Sequence, residues 1–435
     1  MKCGFFEKNI TPPLGSIIPG GFAARYNEKV QEPLFVRAFV AENDETTLAI
    51  AVVDACGITK DITDAIRQRV ATLTPILPEN VMVMATHCHG GGPTLNWGEE
   101  VVTDPAYLDF LEKSAADSIA IAYENAAESR LTFGKEELFG VSFIRIYRMK
   151  DGSFKTNPSA AVGDEPVEPY TTIDPEVLVL GVWQNGAPVG AIVNFANHPA
   201  IVSISVTSSD YIYHLSQALK KEFGDDFITL FINGACGNIN HINFFDSETR
   251  LPGRQKVVGE AIAEKAVSAL RRGAPMKTEA LGCSLGSTTA HFRKPSAEAL
   301  LEAQAVMESY GDDLINQVPK AKGYQKVFFA MNALRAMADK RTQRELELQL
   351  MQIGDCYVAG TPTQIFTEFG KAIKEGIGAP TMVSAFANDY CGYVPIARMI
   401  GEKKVYEQKL CPTSALAPDT GDRVCEGIIA LKANL

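Results

Sequence analysis

The sequence predicts a mixed α/β fold, a large mixed β-sheet core flanked by helices, within a single domain spanning residues 1–435. Three observations carry that expectation. Short, strongly apolar runs of strand length recur between Thr46 and Ala385. Between several of them, apolar residues return every three or four positions, the period of a half-buried helix. Several of the runs end in a histidine or in small residues and glycines, as when parallel strands feed loops at one sheet edge.

Composition narrows the function classes. The 435 residues include 41 Lys and Arg against 52 Asp and Glu, a formal net charge of −11. That balance argues against a nucleic-acid or anionic-membrane surface. No apolar run exceeds strand length, so no transmembrane segment is expected. The opening Met-Lys-Cys-Gly-Phe-Phe-Glu-Lys-Asn meets charge too early for a secretory segment, and the nine cysteines form no CxxC pair. Reduced thiols and a cytoplasmic location are the expectation.

Taken in order, residues 9–36 are rich in Pro and Gly and read as an irregular arm. Thr46 to Asp54 reads as a buried strand, followed by a helix with Ile62, Ile66 and Val70 on one face. Val81 to Ala85 is apolar throughout, the pattern of a strand covered on both faces. Asp104 caps a helix that has Pro105 at its first position and Leu108, Leu111, Ala115, Ile119 and Ala122 behind it. Strands follow near Val177–Trp183, Gly190–Asn197 and Phe227–Asn233, with a helix from Tyr211 capped by Ser208, Ser209 or Asp210. Another helix carries Val258, Ile262, Ala266 and Leu270. Residues 275–345 read as a short strand and two helices (Ser296–Met307, Phe328–Ala338), a possible subdomain that shapes a pocket. Leu346, Leu348 and Leu350 alternate with polar residues, predicting a half-buried, antiparallel and less central strand. No internal repeat is visible.

The chemistry gathers at His87 and His89. Alternation along a strand predicts that both project to one side of its end, where they could share a metal or divide ligation from proton transfer. A pair of hydrogen-bonded loop histidines is the plainer alternative. His198 repeats the pattern after the strand ending at Asn197, so the three histidines are expected to converge. Cys236, in Gly-Ala-Cys-Gly after Asn233, and Cys88 are candidate nucleophiles or, more simply, small buried cysteines. Thr361 to Glu368 opens an expected helix with Gln364 and Glu368 on one face.

The order of these pieces resembles the neutral/alkaline ceramidase family, in its amidase-like catalytic domain and over nearly the whole chain. The matching stretches are Ile10-Thr11-Pro12-Pro13, Pro33 to Ala38, Val53-Asp54-Ala55-Cys56-Gly57-Ile58 and Ala85-Thr86-His87-Cys88-His89-Gly90-Gly91. Ile144-Arg145, Ala196-Asn197-His198-Pro199, Ser209-Asp210-Tyr211, Gly237-Asn238-Ile239-Asn240 and Ala387 to Tyr393 complete the series. The resemblance implies one zinc ion held by His87, His198, Tyr390 and the residue at Gln364, with His89 assisting proton transfer and Arg145 near the substrate carbonyl. It also implies the catalytic-domain fold without the family's C-terminal immunoglobulin-like domain. Two positions depart from the pattern. Gln364 stands where the family has a glutamate ligand, with Glu368 one turn on as a substitute, and Asn240 stands where it has a serine.

The expectation is therefore a zinc-dependent hydrolase of an amide, ester or lactone carbonyl, acting on a small molecule more polar than ceramide. Its catalytic residues would be His89, Arg145 and Asn240. The alternative is an inactive relative that serves as a binding or regulatory protein.

Overall fold

The computed structural model describes residues 1–21, 24–96, 101–202, 205–310 and 324–435. Of the segment 275–345, residues 311–323 lie outside this set.

Fourteen strands form three main sheets, each laid down by one stretch of chain. The first contains β1 (Lys2–Asn9), β2 (Phe35–Glu42), β3 (Thr47–Val53), β4 (Val81–Ala85) and the short β5 (Ala127–Glu128). The second contains β6 (Arg130–Glu137), β7 (Glu176–Gln184), β8 (Ala187–Phe195), β9 (Ile228–Asn233) and the short β10 (Ala274–Pro275). The third contains β11 (Leu281–His291), β12 (Gln343–Ile353), β13 (Cys356–Gly360) and β14 (Thr381–Ser384).

One pattern recurs in all three. The first strand pairs antiparallel with the second, and the second antiparallel with the third. The third pairs parallel with the fourth. A parallel pair needs a helical crossover, supplied by α1 (Lys60–Leu73), α3 (Tyr211–Phe223) and, in the third unit, Thr367–Ile377. A further helix follows each fourth strand: α2 (Pro105–Glu124), α4 (Arg254–Arg272) and, in the third unit, Thr420–Leu431. The third unit also inserts α5 (Ala297–Tyr310) and α6 (Tyr324–Ala338) between its first two strands, making its later helices α7 and α8. In each unit the crossover helix packs on the helix that closes it.

Residue preferences explain the approach. A β-carbon at Gly4 in β1 would lie 2.0 Å from the Ala122 carbonyl oxygen of α2, and one at Gly134 in β6 would lie 1.9 Å from that of Ala269 in α4. Only glycine lets the closing helix settle backbone to backbone on the strand. The faces turned away from the helices meet in one apolar core. Phe39, Ile50 and Met82 from the first sheet pack there with Leu180, Ile192 and Leu230 from the second and Met351, Val358 and Met382 from the third.

The mixed α/β expectation holds, with the strands divided among three sheets. Three local expectations are corrected. The Leu346–Leu350 strand lies inside its sheet, paired on one edge with β11 and on the other with β13, and one polar residue of its other face is covered too. Gln349 is fully buried and accepts from Arg67 Nη2 (3.2 Å) and Asn388 Nδ2 (2.7 Å). Gln364 is not helical: Gln364–Ile365 pairs parallel with Tyr393–Val394, and α7 begins only at Thr367. The expected short strand near 275 is the eleven-residue β11, paired along its whole length with β12.

This topology positions a site. In every unit the first, third and fourth strands run the same way. The loops after the third and fourth strands, and the connection from first to second, therefore all emerge at one edge. Hydrogen bonds join these edges across units: Ala85 N to Phe386 O (2.9 Å), Asn388 N to Val83 O (2.7 Å) and Asn233 Nδ2 to Thr86 O (3.0 Å).

Candidate metal centre

Four of the predicted side chains meet where the three edges join. His87 follows β4, His198 follows β8, Gln364 follows β13 and Tyr390 follows β14. Gln364 lies at the middle, its Nε2 3.1 Å from His87 Nε2 and 3.4 Å from His198 Nδ1, and its Oε1 accepts from the Tyr390 hydroxyl at 3.3 Å. The amide orientation follows from this network, and exchanging its two ends would turn the oxygen toward the histidines.

The histidines do not converge by strand alternation. β4 ends at Ala85, and His87 adopts a left-handed backbone (φ 66°), costly for a residue with a β-carbon. Packing holds it there. Its ring stacks on Phe386 with centroids 4.2 Å apart, and Nδ1 lies 2.6 Å from the Cys56 carbonyl. Nδ1 is thereby the protonated nitrogen, leaving the Nε2 lone pair aimed at Gln364. Tyr390 needs a glycine beneath it: a β-carbon at Gly57 would lie 2.9 Å from its Cγ.

His89 completes the cluster, its Nε2 3.1 Å from His198 Nε2. Burial removes the water that would stabilise an imidazolium, pushing His87 down to about 3 and holding His89 and His198 well below the ordinary histidine range. All three are neutral at neutral pH, the state in which imidazole binds a metal or accepts a proton.

The predicted companions fall into two groups. Arg145 and Asn240 line the cavity above the cluster. Arg145 is fixed by Glu407 Oε1 (Nε, 2.5 Å) and the Gly237 carbonyl (Nη2, 2.8 Å), with its guanidinium over the Tyr393 ring. Burial opposes its charge, but Tyr393 and Glu407 outweigh that and raise its pKa. Asn240 Nδ2 donates to Asn157 Oδ1 at 2.6 Å. Glu368, in contrast, is engaged elsewhere, accepting from Asn238 Nδ2 (3.1 Å) and Tyr170 (3.3 Å). Cys88 and Cys236 are fully buried, and burial raises both thiols, that of Cys236 to about 12, which leaves them as core residues.

Two neighbours went unforeseen. Cys56 Sγ lies 3.9 Å from His87 Nδ1, and among the described residues Cys56, His87 and His89 form a group able to hold a metal, with ligand atoms within 4.8 Å of one another. Its position after β3, at the same edge as His87, was the available signal. Glu407, fully buried against Arg145, had none.

The profile of the family described as neutral/alkaline non-lysosomal ceramidase, N-terminal, matches residues 2–224, more than half the chain. The chain belongs to this family. No curated protein sequence matches it. Among solved structures, neutral ceramidase from Pseudomonas aeruginosa superposes with a TM-score of 0.75 at 18% identity, covering 100% of this chain and 75% of that one. A ceramidase complexed with C2 gives 0.72 at 17% identity, with the same coverage of each chain. These likenesses bear on the fold, which is that of a ceramidase. The family consists of amide-cleaving hydrolases, and a small-molecule substrate suits the cavity, about 670 Å3 in volume. Among the described residues no helix is long and apolar enough to cross a membrane.

His87 Nε2 and His198 Nδ1 both face the Gln364 side chain, whose oxygen accepts from the Tyr390 hydroxyl, and a neutral imidazole is competent to bind a metal. The set contains no carboxylate, since Gln364 replaces the expected acid.

Proposed function

We propose that this ceramidase-family chain is a zinc-dependent hydrolase of a small polar molecule, cleaving an amide, ester or lactone at its carbonyl. The observation that supports it is the meeting of His87, His198, Gln364 and Tyr390 from three different units, with neighbouring polar atoms 3.1–3.4 Å apart. Zinc held by these four residues would supply Lewis-acid polarisation of the carbonyl.

The remaining chemistry belongs to the chain. His89, neutral, accepts the proton of the attacking water at a ring nitrogen and returns it to the leaving nitrogen or oxygen as the carbonyl bond breaks. Arg145, held in place by Glu407, faces the negative charge that develops on the carbonyl oxygen. Asn240, tied to Asn157, offers the substrate an amide where a hydroxyl stands in relatives. The cavity wall carries Lys155, Lys403 and Lys404, each ion-paired, and Lys409, and this charged rim favours a substrate more polar than ceramide.

Elemental analysis of purified wild type, His87→Ala and His198→Ala, beside a hydrolysis screen of amides, esters and lactones, tests this reading. The expected result is near-stoichiometric zinc in the wild type, lost in both variants together with hydrolysis. Wild-type protein that takes up no zinc when supplied with it would overturn the mechanism and favour the binding-protein alternative.

A further inference from the structure

A second cavity, about 460 Å3, lies on the far side of Tyr390 and Pro412, which line both cavities. Its chemistry differs from the first. Five cations line it: Arg293, Lys294, Arg335, Arg341 and Arg344. Two of them are already matched. Arg341 grips Asp339, the carboxylate in the lining, through Nε and Nη2 at 2.7–3.1 Å, and Arg344 Nη2 reaches Asp389 at 2.5 Å. Among the described residues the other three make no ion pair, in a chain whose net charge is −11.

Those three are placed by the fold. Arg293 follows β11 and is mostly buried. Its Nη1 donates to the Gln408 carbonyl (2.8 Å) and its Nη2 to Ser414 O (2.7 Å) and Oγ (3.0 Å). Its Nε is buried with no partner. Carbonyl oxygens orient this guanidinium without neutralising it, so its charge remains to be satisfied. Lys294 is anchored near the end of α6, donating to the Ala336 carbonyl at 2.9 Å. Arg335, on α6, makes no ion pair among the described residues. Like charges gathered in a recess repel one another, and an anion bound among them removes that cost while accepting in the planar geometry that guanidinium offers.

We propose that this second cavity binds a small oxyanion of the phosphate class through Arg293, Lys294 and Arg335. The charge excess favours a di- or trianion over a monocarboxylate, and the apolar wall of Phe292 and Leu416 leaves room for a short organic part. The site stands apart from the hydrolase reading, since none of these three cations lines the first cavity.

Calorimetric titration of the full chain with pyrophosphate, at constant ionic strength in a chloride buffer, tests it. Wild type should bind saturably. A Lys294→Ala/Arg335→Ala variant, altered at two exposed positions, should bind at least about tenfold more weakly, whereas Lys404→Ala, in the first cavity, should bind as wild type does. Arg293→Gln should abolish binding, and circular dichroism of both variants checks that they fold. No saturable binding by wild type, undiminished binding by the double variant, or loss of binding in Lys404→Ala would each overturn the proposal.

Discussion

Gln364→Glu returns a carboxylate to the centre of the candidate metal site at almost no cost in shape. The position is fully buried, and the altered group lies 3.1 Å from His87 Nε2 and 3.4 Å from His198 Nδ1. At an effective dielectric of about 20, opposite unit charges 3.1 Å apart attract by about 5 kcal/mol, and a divalent ion is attracted more strongly. Burying the new carboxylate costs several kcal/mol in return. The balance favours the loaded site by about 3 kcal/mol or more, a gain of about 100-fold in zinc affinity. Competition titration against a chromogenic zinc chelator at pH 7.5 measures the difference directly. An unchanged or weaker affinity in Gln364→Glu would refute the idea that residue 364 is a metal ligand.

Two further outcomes follow from the same geometry. His87 titrates near 3 in the fold against an ordinary 6.5, and His89 and His198 are displaced in the same direction, all by burial. Below about pH 6.5 the unfolded chain takes up protons that the folded one resists, so stability of the metal-free protein is complete above that pH and declines as pH falls toward 3. Tm measured from pH 8 to 4 should fall less steeply in a His87→Gln/His198→Gln variant, and parallel curves would contradict this. Gly57→Ala puts a methyl group 2.9 Å from Tyr390 Cγ, within the first turn of chain after β3. Zinc affinity should drop by about tenfold or more, the scale of a disturbed supporting shell, while circular dichroism stays native. Unaltered affinity would remove Tyr390 from the ligand set.

Much of the site was legible because its signals are local. Val81–Ala85 is buried at every position, as a run of five apolar residues demands, and a histidine placed just beyond such a strand has few places to go. What escaped depends on contacts distant in sequence. Pro362 and the polar residues around it read as a helix start, yet Gln364 is drawn into pairing with Tyr393. Leu346, Leu348 and Leu350 identified a buried face, while the cover over Gln349 comes from Arg67 and Asn388, far away in the chain. His87 and His89 meet because of a left-handed residue that no alternation rule anticipates.

The threefold succession of strands and helices was invisible for a related reason. It repeats in hydrogen-bond pattern, not in residues, and its plainest echoes are single glycines such as Gly4 and Gly134. It nevertheless accounts for how labour is divided in the site. Donors sit on the loops after third and fourth strands: His87 in the first unit, His198 in the second, Gln364 and Tyr390 in the third. Cavity walls come partly from the first-to-second-strand connections, with Gly20 from the first unit, Arg145 and Lys155 from the second, and Phe328 and Phe329 from the third, and partly from the chain after fourth strands, with Asn240 and His241 from the second unit and Lys403, Lys404, Tyr406 and Lys409 from the third. The donors rest on three sheets that share one apolar core, so their spacing is set by that core. The walls are carried on connections that can change length and composition without disturbing it. The fold can therefore hold the spacing of His87, His198, Gln364 and Tyr390 while the surrounding walls vary, and under the proposed function Lys155, Lys403, Lys404 and Lys409 belong to that variable part.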